Sequence, residues 1–289
     1  MCRETNQDQS IHKSSHSSLL LSKPCSTLRY APSDTVIAAN MTTPNRPIVL
    51  ITGSNQGIGL TTAQILARKH AYHVIIGSRD ISAGEKVAAA LKDEGHSASN
   101  VQLDLTSPTS IENAVKTIES QFGYLDVLIN NAGVLLDLNP NPSIWDLYNK
   151  TFATNVIGTG ILTESLLPLL RQAKRGPPRI IFVSSGMGSL QFATQKDFEF
   201  YNLESKVYDA SKAAVNMLML NYSRIMSDSA NGRVGKVNSV CPGVVATKLT
   251  QGRGHSTEVG ASRIVEMATS DDEDGPTGTF SNKDGPMPW

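Results

Sequence analysis

From Ile48 onward, short apolar runs alternate with longer stretches whose apolar residues recur at helical spacing. The short runs are "IVLIT" at 48–52, "HVIIGS" at 73–78, "NVQLDLT" at 100–106, "DVLINNAG" at 126–133, "RIIFVSS" at 179–185 and "GKVNSVCPG" at 235–243. A strand covered by helices on both faces reads this way, because neither side needs polar residues. A further strand is expected near "GPTGTFS" at 275–281. Between the runs lie helical stretches at 58–70, 81–95 and 107–123, a long one at 144–170, and one that carries Tyr208. The stretch at 107–123 opens with Ser107 where an N-cap belongs and Pro108 in the first turn, where its missing N–H does no harm. Strands alternating with helices predict one doubly wound α/β domain over 46–289, a parallel sheet of about seven strands with helices on both faces.

Composition narrows the function classes. The 289 residues are 39% hydrophobic and 18% charged, which suits one packed domain. Formal net charge is zero, so the chain carries no electrostatic footprint for nucleic acid or an anionic membrane. No single apolar run in the sequence approaches the roughly 18–20 residues of a membrane span. Cys2, Cys25 and Cys241 are scattered without metal-ligand spacing or a disulfide framework, which makes a reducing, cytoplasmic compartment the expectation.

The first 45 residues differ from the rest. "QDQSIHKSSHSSLLLSKPCSTLRY" is rich in Ser and His, lacks a sustained apolar period, and reads as a disordered extension. Its serines and basic residues also fit an organellar targeting segment, against which Glu4, Asp8 and Asp34 argue. A start of translation at Met41 is a third reading, and sequencing the native N-terminus separates the three.

The first strand runs into "TGSNQGIG", with Gly53, Gly57 and Gly59. Glycines in a turn between the first strand and first helix let backbone N–H groups approach a pyrophosphate, and the helix points its positive end there. The spacing is GxxxGxG, not the GxGxxG of the common dinucleotide fingerprint. At the end of the second strand an NAD site places an acid against the ribose 2′-hydroxyl. Here the text is "GSRD": Ser78 stands at the acid's place and Arg79 follows. An arginine meets a 2′-phosphate with charge-assisted bonds, which favours NADP(H). Asp80 is either a cap for the next helix or an acid within reach of the ribose.

In order, "LDLT" with Asp104, "NNAG" with Asn131, Ala132 and Gly133, Asn155 in "ATNVIGT", Ser185 in "VSSGMGS", "YDASK" with Tyr208 and Lys212, and "CPGVVAT" complete a series. With the glycine-rich turn, they resemble the short-chain dehydrogenase/reductase family from about Ile48 to the C-terminus. The resemblance implies a Rossmann fold, and it implies roles. Tyr208 is the general acid for a carbonyl oxygen. Lys212 holds the nicotinamide ribose and lowers the tyrosine's pKa. Ser185 bonds the substrate oxygen, and Asn155 fixes a water that links Lys212 to solvent. Gly53, Ser54, Gly57, Ile58 and Gly59 hold the pyrophosphate, Asp104 meets the adenine, and Asn131, Ala132 and Gly133 support the ribose. Val244 and Thr247 hold the carboxamide. Simple electrostatics agrees that an ammonium one helical turn from a phenol favours phenolate. Ser184 is not a substitute for Ser185, because neighbouring strand residues face opposite ways.

One departure is the long connection from Ser185 to Tyr208. It contains "QFATQKDFEFYNLESK", similar to the insertion of monomeric carbonyl reductases of the family, and reads as a flap beside the substrate pocket. Tyr201 within it has no lysine at YxxxK spacing. In "TKLTQGRGHSTEVGAS", Gly252 and Gly254 are expected as hinges of a substrate loop, and His255 as a solvated residue. The tail "GPTGTFSNKDGPMPW" resembles that of carbonyl-reductase-like members. The expected activity is NADPH-dependent reduction of an aldehyde or ketone, in detoxification or specialised metabolism. The alternatives are the same residues running an oxidation, or an NADP-binding sensor without turnover. Expected partners are a small-molecule carbonyl compound and at most a second copy, as monomer or homodimer.

Overall fold

The computed structural model describes residues 46–139, 143–227 and 233–289. The expected N-terminal extension lies outside them. The elements, in chain order, are β1 (Ile48–Thr52), α1 (Gly57–His70), β2 (His73–Ser78), α2 (Ile81–Asp93), β3 (Ala98–Gln102), α3 (Pro108–Phe122), β4 (Val127–Asn130) and α4 (Ile144–Phe152). They continue with α5 (Thr159–Leu170), β5 (Arg179–Val183), α6 (Leu190–Ala193), α7 (Lys206–Ile225), β6 (Lys236–Val240), α8 (Thr257–Thr269), β7 (Phe280–Asn282) and β8 (Gly285–Pro286).

The strands form one sheet in the order β3-β2-β1-β4-β5-β6-β7-β8. All neighbours are parallel up to β7, and β8 returns antiparallel as an eighth strand that the sequence pattern did not suggest. Order reverses at β1, which pairs with β2 on one side and β4 on the other. A doubly wound sheet opens its ligand crevice at that reversal, outside the C-terminal strand ends.

Alternation along each strand explains the uninterrupted apolar runs. Ile48, Leu50, Ile75, Leu128, Ile180 and Phe182 belong to a core shared with α3, α5 and α7. Val49, Ile51, Val74, Ile76, Val127, Ile129 and Ile181 belong to a second core with α1, α2 and α8. Each such side chain, fully withdrawn from water, contributes about 1.5–3 kcal/mol before chain entropy is counted. Ser107 does cap α3, accepting from the Ser110 amide at 3.3 Å. Asp126, fully buried, anchors the N-terminal sheet edge through the amides of Ile48, Lys174 and Arg175.

One expectation needs correction and another gains detail. The third strand leaves the sheet after Gln102, because Asp104 folds its carboxylate back onto the Thr106 amide and hydroxyl at 2.9 and 2.7 Å. The helical region 144–170 is one continuous run of three parts, α4, a π-helical turn Ala153–Gly158, and α5. By length and composition it is apolar enough to cross a membrane, unlike any single run read from the sequence. Half of its most apolar window is buried in the fold, and Leu162, Leu166, Leu167 and Leu170 sit in the core. The π turn has a cause on each side. Gly158 presses so close to β3's exit that a methyl group there would lie 1.9 Å from the Leu105 carbonyl oxygen. Asn155 is drawn the other way by paired bonds to the Val134 backbone.

Candidate active site

The turn between β1 and α1 is built to receive an anion. Gly53 and Gly57 have φ of 65° and 56°, the left-handed region that L side chains rarely occupy. Gly59 is an approach point: a methyl there would stand 2.5 Å from Asn131 Nδ2 and 2.7 Å from the Gly53 oxygen. Asn131 donates to the Thr52 carbonyl at 2.8 Å, and the Asn131 and Ala132 amides both donate to Thr52 Oγ1, so β4 and β1 end in one rigid junction. Ser54 is fully buried and donates to the Ile51 carbonyl at 2.8 Å, holding the turn rather than facing out. The N-cap of α1, Gln56, makes no side-chain capping bond, and the first turn holds no acid. Those first amides are suited to a phosphate group. This fits a dinucleotide.

Beside the turn lies an open cleft with about 550 Å³ of empty space. Ile58, Asn131, Gly133, Val183, Ser184, Ser185, Tyr208, Lys212, Val245 and Thr247 line it. Four of the expected groups meet here or just behind it. Ser185 leaves the end of β5, accepts from the Met187 amide at 3.2 Å, and lines the cleft beside Tyr208, whose pKa its side chain lowers. Lys212 lies one turn along α7, its ammonium 5.6 Å from the Tyr208 ring centre and donating to the Val183 carbonyl at 2.8 Å. Asn155, in the π turn, is buried behind the cleft. Its amide group bonds both backbone atoms of Val134 and donates to Ser211 Oγ at 3.0 Å. A methyl on Gly133 would be 3.4 Å from both Lys212 Nζ and Asn155 Oδ1. A π turn at such a position is a recurrent mark of functional sites.

Burial acts against the expected depression of the tyrosine. Burial pushes the Tyr208 phenol up, only partly opposed by its bond to Ser185. Burial also pulls Lys212 down to about 8. Both shifts favour the neutral forms. In both groups burial is the largest cause. Cys241 is buried, its Sγ accepts from the Gly186 amide at 3.2 Å, and burial pushes the thiol up, as for an inert packing residue.

The remaining candidates lie farther out. Arg79 is exposed after β2, and its carbonyl accepts from Gln102 at 3.3 Å. Asp80 caps α2 through the Ala83 amide at 3.1 Å. Neither Arg79 nor Asp104 lines the cleft. Val244 sits between the lining residues Gly243 and Val245, and its carbonyl accepts from the His255 amide at 2.8 Å. Gly254, with φ of 110°, is a close-approach point, because a methyl there would lie 2.1 Å from the Val244 oxygen. His255 is exposed and takes part through its backbone. The sequence reading missed Thr250, which lines the cleft and holds the turn by accepting from the Thr247 amide at 3.1 Å.

The insertion folds beside Ser185. Phe192 stacks on Phe198 at 5.0 Å, and Phe198 meets Phe200 edge-on at 5.5 Å. Phe192, Phe198 and Met287 surround Gly186. The Gln191 amide donates to the Trp289 oxygen at 2.7 Å, and Trp289 stacks on Phe280 at 5.7 Å. Insertion and tail therefore brace one another next to the strand end that carries Ser185.

The family model for short chain dehydrogenase matches residues 47–258, and the chain belongs to that family. It is 36% identical over 233 residues to the short-chain dehydrogenase anuI of Penicillium roqueforti, covering 79% of this chain and 91% of that one. To the carbonyl reductase [NADPH] 1 of Mus musculus it is 28% identical, over 85% of this chain and 99% of the mouse protein. Among solved structures, NADPH-bound carbonyl reductase from chicken fatty liver superposes with a TM-score of 0.71 at 26% identity, covering 84% of this chain and all of that one. The salutaridine reductase of Papaver somniferum gives 0.67 at 26%, over 82% and 100%. The protein is an oxidoreductase of this family.

Proposed function

We propose that the protein reduces an aldehyde or ketone to an alcohol with NADPH as hydride donor. The observation that carries the reading is that Ser185, Tyr208 and, one helical turn on, Lys212 together line a cleft that adjoins the glycine-rich turn. When bound, the nicotinamide cofactor supplies the hydride. Ser185 and Tyr208 hold the carbonyl oxygen between two hydroxyls. As negative charge grows on that oxygen, Tyr208 gives up its proton. Burial keeps the phenol protonated at neutral pH, which is the form a donor needs. Lys212, pulled down to about 8, is still mostly charged near neutrality, so it stabilises the phenolate left behind and returns a proton to it. Asn155 and Gly133 lie beside Lys212, and on this reading the replacement proton comes from that side.

Gly53, Ser54, Gly57, Ile58 and Gly59 form the pyrophosphate turn. Asn131, Ala132 and Gly133 flank the ribose, Asp104 lies toward the adenine, and Val244 and Thr247 lie toward the carboxamide. Preference for NADPH is supported by Arg79 being exposed after β2, and by Asp80 spending its carboxylate on the α2 cap. Buried Cys241 and the net charge of zero are in keeping with a cytoplasmic enzyme acting on a small molecule.

Fluorescence titration with NADPH and NADH, followed by oxidation of bound NADPH with a panel of aldehydes, ketones and quinones, tests this. Tight NADPH binding with carbonyl turnover is expected, and Tyr208→Phe should keep the binding and lose the turnover. Full activity in that variant would refute the tyrosine mechanism.

A further inference from the structure

Helix α7 presents Tyr208 in its first turn, and that turn is not capped in the usual way. Its N-cap residue, Ser205, makes no side-chain bond to the helix amides. The Ser205 hydroxyl instead donates to Asp209 Oδ1 at 3.0 Å. The amides that an N-cap side chain ordinarily serves are those of the second and third helical residues, here Val207 and Tyr208. Both are taken by Asp137, which lies 70 residues away in the chain. Asp137 Oδ1 accepts from the Val207 amide at 2.9 Å, and its Oδ2 accepts from the Tyr208 amide at 3.2 Å.

The segment that supplies Asp137 is the one that follows β4. Three residues earlier in it, the Val134 backbone holds Asn155 by two bonds of 2.8 and 2.9 Å. Next to that, Gly133 packs against Lys212 Nζ. One five-residue stretch thus touches the elements that present the lysine, the asparagine and the tyrosine. The negative carboxylate also faces the positive end of α7. Asp209, in the same turn, is pushed up to about 6, first by burial, with the Asp137 charge adding to it.

From this geometry we infer that Asp137 is a positioning residue for the reaction: it clamps the first turn of α7 through the Tyr208 amide, and so fixes the tyrosine relative to Ser185 and Lys212. The inference rests on Tyr208 being the proton donor. Displacement of a reacting group by about 1 Å costs on the order of a hundredfold in rate, so a loosened turn should be felt in turnover before binding.

The test compares Asp137→Ala, Asp137→Asn and Ser107→Ala in the full chain. Ser107→Ala removes an ordinary helix cap whose side chain does not line the cleft and serves as the stability control. Expected for Asp137→Ala is a fall in kcat of about tenfold or more, with NADPH affinity within about twofold of the parent. Asp137→Asn, which keeps one acceptor oxygen, should recover part of the rate. Ser107→Ala should lower Tm and leave kcat alone. The inference is overturned if Asp137→Ala behaves like Ser107→Ala, losing stability only, or if NADPH affinity and kcat fall together. Should the parent protein reduce no carbonyl in the panel, the reductase reading fails separately. Asp137 is then judged by amide hydrogen exchange at Val207 and Tyr208. Faster exchange there in Asp137→Ala but not in Ser107→Ala upholds the clamp, and unchanged exchange overturns it.

Discussion

Acidification should destabilise the fold through His73, by an amount that follows from its burial. His73 opens β2 and is only 8% exposed. Its Nδ1 lies 2.7 Å from Ser97 Oγ and its Nε2 2.9 Å from Ser99 Oγ, and its ring leans on Phe122 with centres 4.9 Å apart. Either neutral tautomer can use both hydroxyls as partners. A charged ring must be desolvated, and that burial, helped by Lys92 and Arg46, pulls the pKa from 6.5 to about 4. Between those two values the unfolded chain binds the proton and the folded one does not. Stability is therefore complete above about pH 6.5 and is lost as pH falls toward about 4, below which both states are protonated and the loss stops. At about 1.4 kcal/mol per pKa unit, the total is on the order of 3 kcal/mol, a large part of what holds an ordinary domain folded. Urea unfolding of the parent and His73→Gln, at about pH 7 and about pH 4, measures it. Other groups, including Asp209, titrate in both proteins and cancel in the comparison. The parent should lose on the order of 3 kcal/mol more than the variant. Parallel losses would refute the reasoning.

Three other outcomes can be measured on the same protein. Gly59→Ala drives a methyl into Asn131 and the Gly53 carbonyl, neither of which can yield; a loss of about 1–3 kcal/mol in urea unfolding and a clear weakening of NADPH binding are expected. Arg79→Asp should weaken NADPH binding about tenfold or more in a fluorescence titration, with NADH affinity equal or improved. Phe198→Ala removes the centre of the aromatic brace beside Gly186, so KM for the best carbonyl substrate should rise while NADPH affinity stays unchanged in steady-state and binding assays.

What the sequence made legible is what depends on neighbours along the chain. The strands announced themselves because helices on both faces leave only apolar positions, and the Ser107 cap because its signal lies within one turn. The glycines of the turn, Asn131, Ser185, Tyr208 and Lys212 form a series whose order can be read directly. What escaped depends on contacts between distant segments. The π turn needs Gly158 against Leu105 and Asn155 against Val134. The cap on α7 comes from Asp137, which no local motif marks. Helical spacing gives the distance from Tyr208 to Lys212, whereas the burial that raises the phenol's pKa depends on what packs around it. At Gly254 a glycine's freedom is visible in sequence, and its close approach to the Val244 carbonyl is not.

The two ends of the sheet bear on how copies of this molecule meet. At one margin, β3 offers Ser99, Asn100 and Gln102 among its five residues, a polar stretch with little appeal for an incoming strand. At the other, the two-residue β8 ends on Pro286, which has no N–H to give. A neighbouring chain thus finds a poor template for ladder growth at either margin. Self-association through strand addition, the usual route from exposed sheets to insoluble aggregates, is disfavoured by the same short hairpin that closes the sheet beyond β7.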